Sequence, residues 1–307
     1  MKPSTKRIFR MHGWRIDRAI HNYIYFMFYD RYVALTLKTG RWMIKHLVRL
    51  PLMPLVFKAA YRRYHAKVIT VPDVQKILHL QNDFFADPAA ATQIIPFPYA
   101  NKIILSEPQF IAVMDCPCRL SRENPCLPTR VCLAVGRTTA EFWMDHGEKY
   151  SAERINADQA LQIIREARDR GCITTAWFKV ATGGRTGVIC SCCSCCCGGI
   201  EGMRLAKHLP GAAHISNIIP SGYIVQADNG LCCSCGTCAN RCFFAGTVFV
   251  EGQGRVYDRE ACMGCGLCVE KCPKGAINLH WDRGKGMPLD LDLCRQAPLD
   301  IEESKQS

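Results

Sequence analysis

Cysteine sets the terms for this chain. Cys232, Cys235, Cys238 and Cys242 follow the spacing C-x-x-C-x-x-C-x-x-x-C, and Cys262, Cys265, Cys268 and Cys272 repeat it thirty residues later, with Pro273 completing the second copy. Such a recurrence marks a duplicated structural unit. The chain holds 21 cysteines in 307 residues, a density that disulfide scaffolds reach only in short secreted chains too small to build a core. With 49% hydrophobic and 21% charged residues the composition is globular, so no such staples are needed. The odd count, the adjacent cysteines and the lack of a signal peptide all point to thiolates that hold metal.

At this spacing three closely set thiolates can grasp three irons of a cubane, while the fourth, carried away on a short helix, crosses to another cluster. Gly236, Gly264 and Gly266 let backbone amides approach inorganic sulfide. The segments 247–250 and 276–279 read as strands beside the arrays. Paired zinc sites are the competing reading, but four-cysteine zinc modules use two separated C-x-x-C knuckles. Over residues 226–281 the chain resembles the bacterial dicluster ferredoxin domain. The resemblance implies one [4Fe–4S] cluster on Cys232, Cys235, Cys238 and Cys272, and a second on Cys262, Cys265, Cys268 and Cys242. Phe243 stands where that family has proline, which weakens the turn signature and leaves every ligand position intact. Cys233 reads as an unligated neighbour, with a one-residue slip as the alternative.

A second body of cysteines lies upstream. IAVMDCPCRL reads as a buried strand that delivers Cys116 and Cys118 at its end, and Cys126 and Cys132 follow through a proline-bearing loop. INADQALQIIREARDRG reads as an amphipathic helix with Asn156 as N-cap, Gln159 three residues on, Leu161 and Ile164 inward and Gly171 ending it. TTAWFKV reads as a further strand, leading to Cys190, Cys192, Cys193, Cys195, Cys196 and Cys197 within eight positions. Successive side chains of an extended strand alternate faces, so only a turn can present several of these to one metal. Gly198 and Gly199 permit close backbone approach there. The expectation is one additional iron–sulfur cluster drawing on Cys116, Cys118, Cys126 and Cys132, with the cysteine-rich loop contributing or holding another. The C-x-C-R start, V-C-L-A-V-G and I-C-x-C-C-x-C-C-C together resemble a family of larger ferredoxin-type iron–sulfur proteins of anaerobic microbes with no assigned reaction. That resemblance implies an additional metal- or cofactor-binding domain.

Charge is unevenly spread. Residues 1–70 hold 15 Lys/Arg against 2 Asp/Glu, whereas the remainder is close to balanced. Arg41, Lys45 and Arg49 fall on one helical face beside apolar neighbours, and Pro51 and Pro54 are expected to break that helix. Such a segment suits packing on the rest of the chain or on a partner, or lying at a membrane surface. No uncharged apolar run is long enough to span a bilayer. Nothing resembles a helix-turn-helix, a zinc finger or an RNP strand, so nucleic acid is not expected as a partner. No P-loop, dinucleotide fingerprint or H-E-x-x-H is present. The stretch with Gly183, Gly184 and Gly187 reads as a turn, with a phosphate cradle as the alternative. His65, His146 and His208 read as structural or exposed, and Cys172 and Cys294 as ordinary thiols.

The expected fold is α+β: a basic helical segment (1–70), a mixed cysteine-rich domain (71–225), a dicluster ferredoxin-like domain (226–283) and a tail (284–307). The expected function is relay of single electrons between redox partners, as a carrier or complex subunit more than a stand-alone enzyme. The alternative is an oxidoreductase whose middle domain works at an unusual cluster fed by the tail, and a third is a scaffold at a membrane face. Thiols this dense oxidise easily, so a reducing cytoplasm, with contact to the inner face of the membrane as a possibility, is the expected location.

Overall fold

A computed structural model describes residues 1–61, 64–97, 103–179, 185, 187–210, 216–251 and 254–295. Helices α1 (Pro3–His12), α2 (Ile16–Met27), α3 (Tyr29–Leu47) and α4 (Met53–Tyr61) come first. They are followed by β1 (Tyr64–Ile69), α5 (Val71–Leu78), β2 (Phe84–Phe85), α6 (Pro88–Ile94), β3 (Ile104–Leu105) and β4 (Ile111–Asp115). Next are α7 (Pro117–Leu120), β5 (Arg130–Val135), α8 (Arg137–His146), β6 (Glu153–Ile155), α9 (Ala157–Asp169), β7 (Ile173–Lys179), β8 (Val188–Cys192) and α10 (Gly198–Ala206). The last are β9 (Ile218–Ile219), β10 (Tyr223–Ala227), α11 (Thr237–Arg241), β11 (Thr247–Val250), β12 (Gly254–Tyr257), α12 (Leu267–Glu270), β13 (Ile277–Trp281) and α13 (Leu291–Arg295). Helices and sheets are both present, as an α+β chain requires.

A seven-stranded sheet in the order β6-β4-β5-β8-β7-β1-β9 forms the centre, antiparallel throughout except for the parallel pair β1–β9. Its strands are apolar on both faces because helices cover both. Ala112, Cys132, Val188, Cys192 and Trp177 belong to one core, and their strand neighbours Val113, Leu133, Ile189 and Phe178 to the other. This is the period-two alternation of a strand. The first face is covered by α1, α2, α3, α8 and α10, through Ile8, Phe26, Val33, Trp143 and Ile200 among others. The second is covered by α5, α6, α9 and α13, through Ile77, Ile94, Ile164 and Leu291. Each such side chain taken out of water contributes about 1.5–3 kcal/mol before chain entropy is counted.

The basic segment therefore packs on the sheet, and its final residues form β1. Pro51 lies between α3 and α4, whereas Pro54 does not break a helix: it is the second residue of α4, where its missing N–H has no partner to lose. Among the described residues no helix is long and apolar enough to cross a membrane. Helix α9 starts as expected, with Asn156 accepting from the Gln159 amide and Gln159 reaching back to the Asn156 amide. Gly183 and Gly184 lie outside the described residues, while the Gly187 carbonyl accepts from the Val135 amide at the sheet's end.

The second face encloses one costly group. Lys67 is 1% exposed, and its ammonium donates to the carbonyls of Ile94 and Pro220, both at 3.1 Å. Burial pulls its pKa down to about 7, against the opposing pull of Asp73 and Cys294. Between about 7 and 10.5 the folded chain then binds fewer protons at this lysine than the unfolded chain, so its cost to stability shrinks as pH rises. Over that window the gain is on the order of 5 kcal/mol. Urea denaturation under argon at pH 7, 8.5 and 10 is expected to show this rise in the parent relative to Lys67→Met. Parallel curves would refute the assignment.

The C-terminal lobe is built from two hairpin-like pairs, β10 with β13 and β11 with β12. Its short helices α11 and α12 each start from a left-handed glycine, Gly236 and Gly266. Gly264 is also left-handed, and a Cβ there would lie 2.1 Å from the Tyr223 carbonyl oxygen. Phe244 and Leu267 enter the core of the sheet's first face. Arg168 of α9, 1% exposed, pins the lobe in place through bonds to both Glu270 carboxylate oxygens at 2.7 and 2.8 Å and to the Cys265 carbonyl at 2.6 Å. Met287, Leu289 and Cys294 pack back onto the second face.

Candidate metal centres

The ten upstream cysteines divide into two groups, and the sheet explains the division. Cys132 on β5 and Cys190 on β8 are cross-strand partners, with their Sγ atoms 3.5 Å apart. Cys192, two residues along β8, faces the same way and meets the Thr175 hydroxyl at 3.3 Å. Cys116 caps α7, Cys118 lies within it, and Cys197 caps α10. The Cys116 thiol neighbours those of Cys118 and Cys132, and the Cys192 thiol neighbours that of Cys197. This crowding splits the acidities: Cys118 and Cys132 hold the Cys116 thiol well below its ordinary value, while Cys116 and burial push Cys118 and Cys132 well above theirs, and Cys192 with burial does the same to Cys197. Six sulfurs thus converge on the helix-covered face, beside a cavity of about 640 Å³ that all six line.

The second group sits at the sheet's end. The ligand atoms of Cys126, Cys193, Cys195 and Cys196 all lie within 4.8 Å of one another. The turn that follows β8 swings Cys193, Cys195 and Cys196 to one side, and the proline-bearing loop lays Cys126 over them. Backbone amides already address these sulfurs: the Cys126 N–H donates to Cys196 Sγ and the Cys196 N–H to Cys193 Sγ, each at 3.4 Å. Such bonds stabilise negative charge on sulfur. Arg119, 3% exposed, adds a positive charge that favours the Cys193 thiolate, and its guanidinium donates to the Cys126 carbonyl at 3.4 Å. The expected quartet Cys116, Cys118, Cys126 and Cys132 does not gather: Cys126 joins the turn, and the other three join Cys190, Cys192 and Cys197.

In the C-terminal lobe Cys232, Cys235, Cys238 and Cys272 line one small cavity, together with Cys233 and Pro273. Around Cys268 the charges that act are those of Cys265, Cys242, Cys262 and Cys238, and burial raises its thiol to about 12. The Cys265 thiol is raised to about 11 by burial, opposed by Arg168. Amides again point at sulfur: the Gly264 N–H donates to Cys262 Sγ at 3.4 Å and the Ala276 N–H to Cys272 Sγ at 3.2 Å. Buried thiols that resist ionisation, gathered around waiting N–H donors, are what a thiolate-hungry metal cluster turns to its use. Residues 255–278 match the family of 4Fe-4S binding domains.

The chain carries a ferredoxin-type 4Fe–4S domain. It is accordingly an iron–sulfur, metal-binding protein with an electron-transfer role, it holds at least one [4Fe–4S] cluster, and such a domain works with redox partners. The matched segment contains Cys262, Cys265, Cys268 and Cys272 and leaves the first array outside. No curated protein and no solved structure matches the chain. The wider likeness to larger iron–sulfur proteins of anaerobic microbes therefore has no support beyond the 4Fe–4S domain.

None of the 21 cysteines forms a disulfide. Cys172 is buried, accepts from Arg119 at 3.4 Å and is raised to about 11 by burial. Cys294 is buried on the opposite face and raised to about 12, also by burial, while Cys233 is exposed. His65 stacks on Phe97 with ring centroids 3.5 Å apart, and His146 bonds to Thr5. Sequence reading missed Arg119, Arg168, Tyr25, Tyr29 and Lys179. The last three line the six-sulfur cavity, and their types alone read as helix and strand filling.

Proposed function

We propose that this chain relays single electrons between redox proteins through two [4Fe–4S] clusters in its C-terminal lobe and further iron–sulfur centres against the sheet. Cys232, Cys235, Cys238 and Cys272 would hold the outer cluster, and Cys262, Cys265, Cys268 and Cys242 the inner one. Such clusters take up and return one electron at a time. Exposed Cys235 marks the outer set as the side open to a partner protein. The inner set lies against Phe244 and Leu267, on the way to the sheet. The observation that carries the extension inward is the four-sulfur group of Cys126, Cys193, Cys195 and Cys196, a natural seat for a third cluster, with the six-sulfur group a fourth centre.

Iron and acid-labile sulfide analysis of anaerobically prepared protein, with electron paramagnetic resonance during a redox titration, tests this. More than about eight irons per chain is expected, with a distinct signal lost in Cys195→Ala. Eight irons and an unchanged spectrum in that variant would confine the relay to the C-terminal lobe. A second reading, an oxidoreductase with its chemistry in the middle of the chain, is favoured by one observation: the six-sulfur group opens onto a cavity far larger than packing needs.

A further inference from the structure

We infer that this cavity binds a lipophilic quinone-type compound, an apolar ring with carbonyl oxygens, as the terminal partner of the electron path; this rests on the oxidoreductase reading just given. At about 640 Å³ it falls in the size class of small-molecule sites, about 300–1,000 Å³. Its inner end is buried sulfur. Its outer end includes Leu35 and Val56, which are 65% and 38% exposed. The wall between them is chiefly aromatic and aliphatic, supplied by α3, α4 and α10. Among its polar lining residues, Lys179 and Tyr29 stand beside the sulfur end. The Lys179 ammonium, 4% exposed, donates to the Tyr29 hydroxyl and stands 4.8 Å from that ring's centroid and 5.6 Å from those of Tyr25 and Trp177. Tyr29 also feels Cys118, Cys132 and Cys190 directly. A cation and a hydroxyl at the sulfur end of an apolar chamber suit a carbonyl oxygen that gains a proton as its ring gains electrons.

The basic segment also carries a surface suited to lipid, the source of such a guest. Ile16, Ile20 and Ile24 of α2 and Phe28, which follows its end, recur at intervals of four, all exposed, next to fully exposed Trp14. Arg15, Arg18 and Arg31 flank this stripe within the basic segment. An apolar stripe with basic flanks is the pattern of a helix resting on an anionic bilayer. Two molecules of a reduced one-electron carrier protein each give up one electron, the quinone takes two electrons and two protons, and both ring C=O bonds become C–O–H. The Lys179–Tyr29 pair supplies hydrogen-bond donors to one of those oxygens.

The test uses anaerobically prepared full-length protein and a fully substituted benzoquinone with a decyl tail, which leaves no ring position open to thiol addition. Equilibrium dialysis is expected to show one saturable site per chain. Val56→Trp, which fills the entrance far from any sulfur, is expected to weaken binding at least about tenfold, and Lys179→Met by a similar factor. Dithionite-reduced protein, freed of excess reductant, is expected to convert the probe to its hydroquinone with two electrons lost per molecule. Absent saturable binding, or equal affinity in parent and Val56→Trp, would overturn the inference. A low iron count with Val56-sensitive binding intact would instead sink the extra-cluster reading and leave the binding site standing.

Discussion

Cys242→Ala is expected to strip about four irons and their sulfides from the anaerobic protein, although Cys242 lies outside the matched 4Fe–4S segment. It ends α11, twenty residues before the array it would complete, and its charge is felt by both Cys265 and Cys268. Three thiolates hold a cubane poorly, so on the proposed assignment one lost sulfur would remove the inner cluster and with it the bridge between the outer cluster and the sheet. Electron paramagnetic resonance of the reduced variant should then show the outer cluster without the magnetic broadening of a near neighbour. Cys233→Ala, by contrast, should keep full iron content. A one-residue slip in the first array would reverse that second result, and retention of all iron in Cys242→Ala would break the crossed ligand arrangement.

The largest loss of stability at fixed pH is expected at Arg168. Its guanidinium joins α9 to Glu270 of α12, to the Cys265 carbonyl and, at 3.4 Å, to Thr174 of β7. Arg168→Met fills the volume and removes every one of these bonds. Glu270 is a third exposed and can turn to water, but the Cys265 carbonyl loses its charged donor. The expected cost is about 3 kcal/mol in urea denaturation under argon. Arg168→Lys should recover only part of it, because an ammonium cannot reproduce the two-pronged contact. A second readout separates anchoring from bulk packing. Loss of a positive charge beside Cys265 should lower the reduction potential of the inner cluster and leave that of the outer one nearly unchanged. Equal shifts in both, or none, would count against Arg168 acting on that centre.

The second C-terminal array was legible because its meaning is local: spacing within eleven residues defines it, and left-handed Gly266 sits where its short helix must start. The start of α9 was legible for the same reason, since Asn156 and Gln159 satisfy one another. The division of the ten upstream cysteines was not. Cys132 meets Cys190 across 58 residues and Cys126 meets Cys195 across 69, and only the pairing of β5 with β8 decides those encounters. The N-terminal helices showed their amphipathic character but not their inward side. On α2 both Phe26 and the exposed Ile16–Ile20–Ile24 stripe are apolar, so periodicity alone could not say which would be buried. Lys179 carried no local sign at all, because a strand-end lysine takes its meaning from the Tyr29 set above it by a different part of the chain.

The cover that α1, α2 and α3 place over the sulfur-bearing face has a consequence for maturation. These helices leave the ribosome first, yet the strands they must close upon, β5, β7 and β8, are made roughly a hundred residues later. In the interval Ile8, Phe26, Val33 and Leu37 have nothing to rest on. On the proposed assignment, iron and sulfide would reach the inner thiols either before that cover closes or afterwards through the cavity's exposed end at Leu35 and Val56.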